Sequence, residues 1–149
     1  MTFKQKTYHY YQQLLTNKIA NLRLQLSDLR ESTANETKSS AGDKYETARA
    51  MLQIEQDNIS RQLQELLEQQ SVFFSLDSEI HSTVVIQGSL IKTGKNWFLL
   101  SIALGKATID NENIIALSPY SPLGKLLLGK PIGSTVVIND NSYVLEKII

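Results

Sequence analysis

Glu36, Asp43 and Glu46 are the acidic residues of one polar stretch, residues 32–46, which reads STANETKSSAGDKYE. It joins two long runs with helical apolar spacing, so the chain turns back on itself here. Carboxylates so placed have two uses. Asp43 with Glu46 three residues on has the spacing of a capping box, Asp standing in for the usual Ser or Thr, a local role worth about 1 kcal/mol. Alternatively, they face outward as acids at the far end of a helical hairpin, which can enter a space closed to a globular body. The two uses conflict, because a carboxylate turned back onto its own helix is not available to a partner.

Other reactive residue types are sparse. The chain has no cysteine, which excludes a disulfide framework and a thiolate zinc site. His9 and His81 have no companions at ligand spacing. Trp97 reads as a core residue. Lys125 and Lys130 read as solvated side chains or as contacts to an acidic partner surface. Phe73, Phe74, Trp97, Phe98, Tyr120 and Tyr143 stand partly on strands with opposite-facing neighbours, a poor basis for an aromatic prolyl isomerase pocket.

Two elements position the acidic stretch. Tyr8, Tyr11, Leu15, Ile19, Leu22, Leu26 and Leu29 recur at steps of three and four, a continuous stripe on one helix. Leu14 and Leu24 lie beside it and would widen its contact. Tyr45, Ala48, Leu52, Ile59, Leu63 and Leu66 form a second stripe, with Met51 and Ile54 at its edge and Glu55 where an apolar residue is expected. Two long helices joined by a short polar loop run antiparallel. The spacing therefore predicts a coiled-coil hairpin over residues 1–75.

Residues 76–149 change period. Short β-rich runs at 83–87, 97–102 and 113–117 are separated by Gly88 and by the turn residues 93–96. Ser121-Pro122 opens a short helix, with Ser as cap and Pro at the first helical position; Gly129 closes it and Pro131 prevents its continuation. Residues 135–138 and 143–149 form a final hairpin around 139–142. The fold class is α+β, with Phe73 and Phe74 expected to pack the base of the hairpin onto the sheet.

Fifteen basic residues match fifteen acidic ones, and the balance holds within each part: nine against nine through Ser75, six against six beyond it. A duplex-coating nucleic-acid binder needs a basic excess. No signal peptide and no apolar run long enough for a membrane span can be read, so a cytoplasmic protein is expected. A hairpin that buries its own stripe implies a monomer.

The segment SPYSPLGKLLLGKPIGSTVVINDNSYVLEKI, residues 118–148, resembles the C-terminal end of the bacterial Gre transcript-cleavage factors. There a Ser-Pro pair opens a short helix that ends in a Gly-Lys step, followed by a Gly and a last β-hairpin; here these are Ser121-Pro122, Gly129-Lys130, Gly133 and the strands flanking Asn141. The resemblance implies an N-terminal antiparallel coiled coil followed by a small FKBP-like sheet domain with one short helix. It also implies a partner, bacterial RNA polymerase, whose secondary channel admits the coiled coil so that backtracked RNA is cleaved. The factor is then an accessory to the polymerase rather than an enzyme, with no cofactor of its own and only indirect contact with nascent RNA.

On this resemblance Gly42-Asp43-Lys44-Tyr45-Glu46 matches the family's Gly-Asp-x-x-Glu tip. Asp43 and Glu46 become the catalytic acids and the ligands of a Mg²⁺ ion shared with the polymerase, a hard cation that suits carboxylate oxygens. Glu36, Lys44, Tyr45, Lys125 and Lys130 become partner contacts. Beyond Glu46 the family's Asn and its Ala-Glu-Tyr pattern are not reproduced. A second register matches Tyr45 and Arg49 to the family's Tyr and Arg and leaves Ser39 and Gly42 at the acidic positions. It implies a non-catalytic regulator that uses the same hairpin. A coiled-coil interaction protein unrelated to transcription is the third alternative.

Overall fold

The computed structural model describes the backbone of residues 1–38 and 42–149, and the side chains of residues 1–35 and 46–149. Two long helices come first, α1 (Phe3–Lys38) and α2 (Gly42–Phe74). Then come β1 (Leu90–Thr93), β2 (Asn96–Leu100), β3 (Gly105–Ile109), β4 (Glu112–Leu117), α3 (Pro122–Leu127), β5 (Thr135–Ile138), β6 (Asn141–Val144) and β7 (Lys147–Ile148). Helices first, then a small mixed sheet with one short helix, is the α+β order expected from the sequence. Packing divides the chain into two compact units, one of Met1–Gln12 with Val72–Ile149 and the other of Gln13–Ser71.

The helical unit is an antiparallel pair. Neither Gly nor Pro interrupts α1, so nothing breaks its hydrogen-bond ladder. Leu22, Leu26 and Ile59 form the buried seam, with Leu29, Leu63 and Leu66 half-buried against it. Leu15 and Ile19, earlier on the α1 stripe, are buried as well. Leu24, expected to widen the contact, is exposed, as are Met51 and Ile54. The α2 stripe runs through half-buried Gln56 and leaves Glu55 in solvent. Four residues after Leu52 and three before Ile59, Gln56 keeps the helical spacing that Glu55 would also keep, and the neutral amide is the cheaper of the two to desolvate.

The globular unit is built on a five-stranded sheet in the order β3-β4-β2-β1-β7, with β5 and β6 forming a separate two-stranded sheet. β2 and β4 pair in parallel, while β3 returns to β4 antiparallel. Two tight turns, Asp110-Asn111 and Asn139-Asp140, hold both residues at positive φ, the type I′ geometry whose twist suits a two-residue hairpin. One sheet face buries Ile91, Phe98 and Leu100 with Leu127 of α3, Val136 of β5 and Leu145. The first turns of α1 also belong to this unit. Phe3 packs its ring 5.1 Å from that of Trp97, and Phe73 lies 5.5 and 6.2 Å from Tyr8 and Tyr11. Thr2 and Gln5 start α1 as a reciprocal capping box, each side chain accepting from the other's backbone N–H.

Several expectations are corrected. Residues 83–87 form no strand: Val84 makes a single bridge to Pro131, and pairing begins at Leu90. β3 was not anticipated. The last hairpin has a two-residue turn, so β6 begins at Asn141, and the chain then leaves it to pair Lys147 and Ile148 with β1. Phe73 is fully buried, whereas Phe74 is half exposed.

Candidate functional site

The acids named in the sequence sit on helix ends rather than in the loop itself. Glu36 falls in α1, and Asp43, Lys44 and Tyr45 in the first turn of α2. The side chains of these four, and with them the expected cap by Asp43, lie outside the described residues. Glu46 is described and exposed. Positions 43 and 46 are about 4.5 Å apart along the helix axis. They stand at the amino end of α2, where the helix dipole favours carboxylates. Among the described residues no group of three His, Cys, Asp or Glu side chains is placed to hold a metal.

Among the described residues, a polar contact joins the helices of the hairpin. Gln56 donates from Nε2 to Thr33 Oγ1 at 2.7 Å, while the Thr33 hydroxyl donates to the carbonyl of Leu29 at 2.9 Å.

In the globular unit, the residues that carry the C-terminal sequence pattern hold α3 in place. Ser121 is the N-cap: its Oγ accepts from the Gly124 N–H at 3.1 Å and donates to the Ser118 carbonyl at 2.6 Å. Gly124 has no room for a side chain, because a Cβ there would lie 2.0 Å from the Ser118 oxygen. Gly129 and Gly133 both take positive φ, which lets their N–H groups reach the carbonyls of Val85 and Leu145. The Lys130 carbonyl accepts from the Val85 N–H in return. The pattern is thus a set of backbone tasks.

Lys125 and Lys130 are both exposed, as their candidacy requires. Lys125 lines a cleft of about 340 Å³ with Gln87, Pro119, Tyr120 and Leu128. Tyr120 is 83% exposed, and Leu126, Leu128 and Ile132 are exposed near it in sequence. Sequence reasoning named the lysines and missed these apolar neighbours. The signal was the run Leu126-Leu127-Leu128 on a short helix, of which only Leu127 is buried in the core.

The aromatic residues do not converge on one pocket. Trp97 packs against Phe3, Phe98 against Tyr143, and Phe73 against Tyr8 and Tyr11. Buried polar groups near α1 serve structure. Tyr8 donates to the Gly88 carbonyl at 2.5 Å and Tyr11 to that of Gly105 at 2.8 Å. Burial, with Asp77 as the lesser cause, pushes the Tyr8 hydroxyl up to about 12. Tyr11 is also raised, chiefly by burial. Burial lowers the Lys4 ammonium, which Asp77 partly opposes, and its Nζ donates to the Ile80 carbonyl at 2.8 Å. No helix among the described residues is long and apolar enough to cross a membrane.

No protein-family model matches the chain, and no curated protein matches it. Among solved structures the chain is similar to the transcription factor Gfh1, at 16% identity and a TM-score of 0.34 over 92% of each chain.

Proposed function

We propose that the chain binds bacterial RNA polymerase, inserts its helical hairpin into the secondary channel and, through Asp43 and Glu46, stimulates the polymerase's own cleavage of backtracked RNA. One combination supports this reading most. A hairpin whose α2 opens on Gly42-Asp43-Lys44-Tyr45-Glu46 precedes a domain in which Ser121, Gly129, Lys130 and Gly133 each have a backbone task in the Gre-like C-terminal pattern. Asp43 and Glu46 would supply carboxylate oxygens to a Mg²⁺ shared with the polymerase, and Glu46 is exposed to do so. Bound there with the polymerase's own metal, the ion would help to activate a water and to stabilise the leaving oxygen. Glu36, Lys44 and Tyr45 would meet the channel wall. Lys125 and Lys130, with Tyr120 and Leu128 nearby, would meet an acidic and partly apolar polymerase surface. The chain acts as a cytoplasmic monomer, carries no cofactor of its own and meets nascent RNA only through the polymerase.

The test uses stalled, backtracked elongation complexes with Mg²⁺. Wild-type protein should accelerate cleavage, and Asp43→Ala or Glu46→Ala should each reduce that acceleration by about 10- to 100-fold, the scale at which metal sites respond to lost support, while polymerase binding persists. Binding without acceleration would establish the non-catalytic regulator instead. Absence of binding would leave a coiled-coil interaction protein.

A further inference from the structure

We infer that Thr33 and Gln56 are positioning residues whose hydrogen bond pins the register of the hairpin and so fixes where its end lies. An all-aliphatic two-helix seam specifies register poorly. Leu22, Leu26 and Leu29 meet Ile59, Leu63 and Leu66, and sliding one helix by a turn would again set branched aliphatics against each other. Among the described residues, a polar pair breaks this equivalence. Thr33 continues the α1 stripe four residues after Leu29, and Gln56 interrupts the α2 stripe between Leu52 and Ile59.

These two half-buried polar members meet each other at 2.7 Å. Their chemistry is matched as well. The Thr33 hydroxyl donates to the Leu29 carbonyl, so it offers Gln56 a lone pair, and an amide N–H is what fills it. In a register slipped by one turn, Gln56 would face a leucine with its amide partly desolvated and unpartnered, which is costly. A polar pair in an apolar seam is the best-attested device for fixing register. A slip of one turn shifts a helix end by about 5.4 Å. Under the functional reading above, on which this consequence alone rests, Asp43 and Glu46 would then be displaced by more than a metal coordination shell tolerates.

The chain has no cysteine, so Thr16→Cys and Ser60→Cys, both at exposed positions of the helical unit, give two unique sites for spin labels in the full chain. Pulsed electron paramagnetic resonance should give one narrow distance distribution in this background and in Thr33→Ser, which keeps the hydroxyl. Combining Thr33→Val with Gln56→Leu should leave the helix content unchanged by circular dichroism. It should also add a second population displaced by up to ~5.4 Å, one helical turn. Gln56→Asn, too short to reach Thr33, should do the same. An unchanged single distribution in both variants would overturn the inference. So would loss of helix in the double variant, which would mean that the pair supports folding rather than register. The readout needs no polymerase and therefore stands or falls apart from the proposed function.

Discussion

The globular unit and the helical hairpin bury their side chains to different depths. Leu100, Leu127 and Leu145 are fully buried and Phe98 is 4% exposed, whereas Leu22, Leu26 and Ile59 in the hairpin seam stay 7–9% exposed. A sheet covered on both faces encloses a residue on every side. Two helices share a single seam, and along it Leu22, Leu26 and Ile59 keep a flank in water. The globule is therefore held by packing, and the hairpin by length, an unbroken helical ladder and a modest apolar strip.

Four substitutions would break or sharpen this contrast. Phe98→Ala has the largest expected effect, about 3–5 kcal/mol, read as accelerated amide exchange throughout the five-stranded sheet. Leu26→Ala should cost clearly less, because its cavity opens to water; equal costs would erase the distinction. Gly124→Ala comes next, at about 1–3 kcal/mol, since the added Cβ meets a backbone oxygen that cannot give way. Its signature is loss of protection around α3 with hairpin amides unchanged. Tyr8→Phe is the smallest, about 1 kcal/mol at neutral pH, from the lost bond to the Gly88 carbonyl.

Tyr8 also sets a pH dependence. Its folded pKa of about 12 exceeds the ordinary 10.0, so the folded form keeps a proton that the unfolded form loses. The resulting stability is complete below pH 10 and lost as the pH rises toward about 12. Tyr11, also raised, acts in the same direction; Lys4, lowered, acts in the opposite one. Thermal unfolding of the globular unit should thus fall over that window, and Tyr8→Phe should flatten the fall.

Much of this architecture is legible in the sequence because its signals are local. The α1 stripe, the Ser121-Pro122 start of α3 and the last hairpin all depend on neighbours three or four residues away. β1 and β3 are not legible in that way. Val84-Val85-Ile86 has better strand propensity than Gly105–Ile109, yet only the latter pairs along its length, because the vacant edge of β4 decides the matter. Gln56 was hidden by Glu55, since either position satisfies helical spacing and only the partner helix separates them. At the hairpin end, Asp43 and Glu46 have a spacing that serves a cap and a metal equally well, so spacing alone does not choose between them. The lysines beside α3 were found by charge, and Tyr120 and Leu128 were missed because exposure of an apolar residue is a property of the finished fold.

The globular unit is discontinuous in the chain, taking Met1–Gln12 together with Val72–Ile149. This imposes an order on synthesis. Tyr8 leaves the ribosome 65 residues ahead of Phe73, the ring it packs against. At roughly 5–20 residues per second that interval lasts about 3–13 s. The acceptors of Tyr8 and Tyr11, Gly88 and Gly105, emerge later still. Once α2 emerges the hairpin can zip from its own local contacts, while Phe3, Tyr8 and Tyr11 wait uncovered. This apolar surface is thus made well before the residues that bury it, and a nascent-chain chaperone would find its opening there.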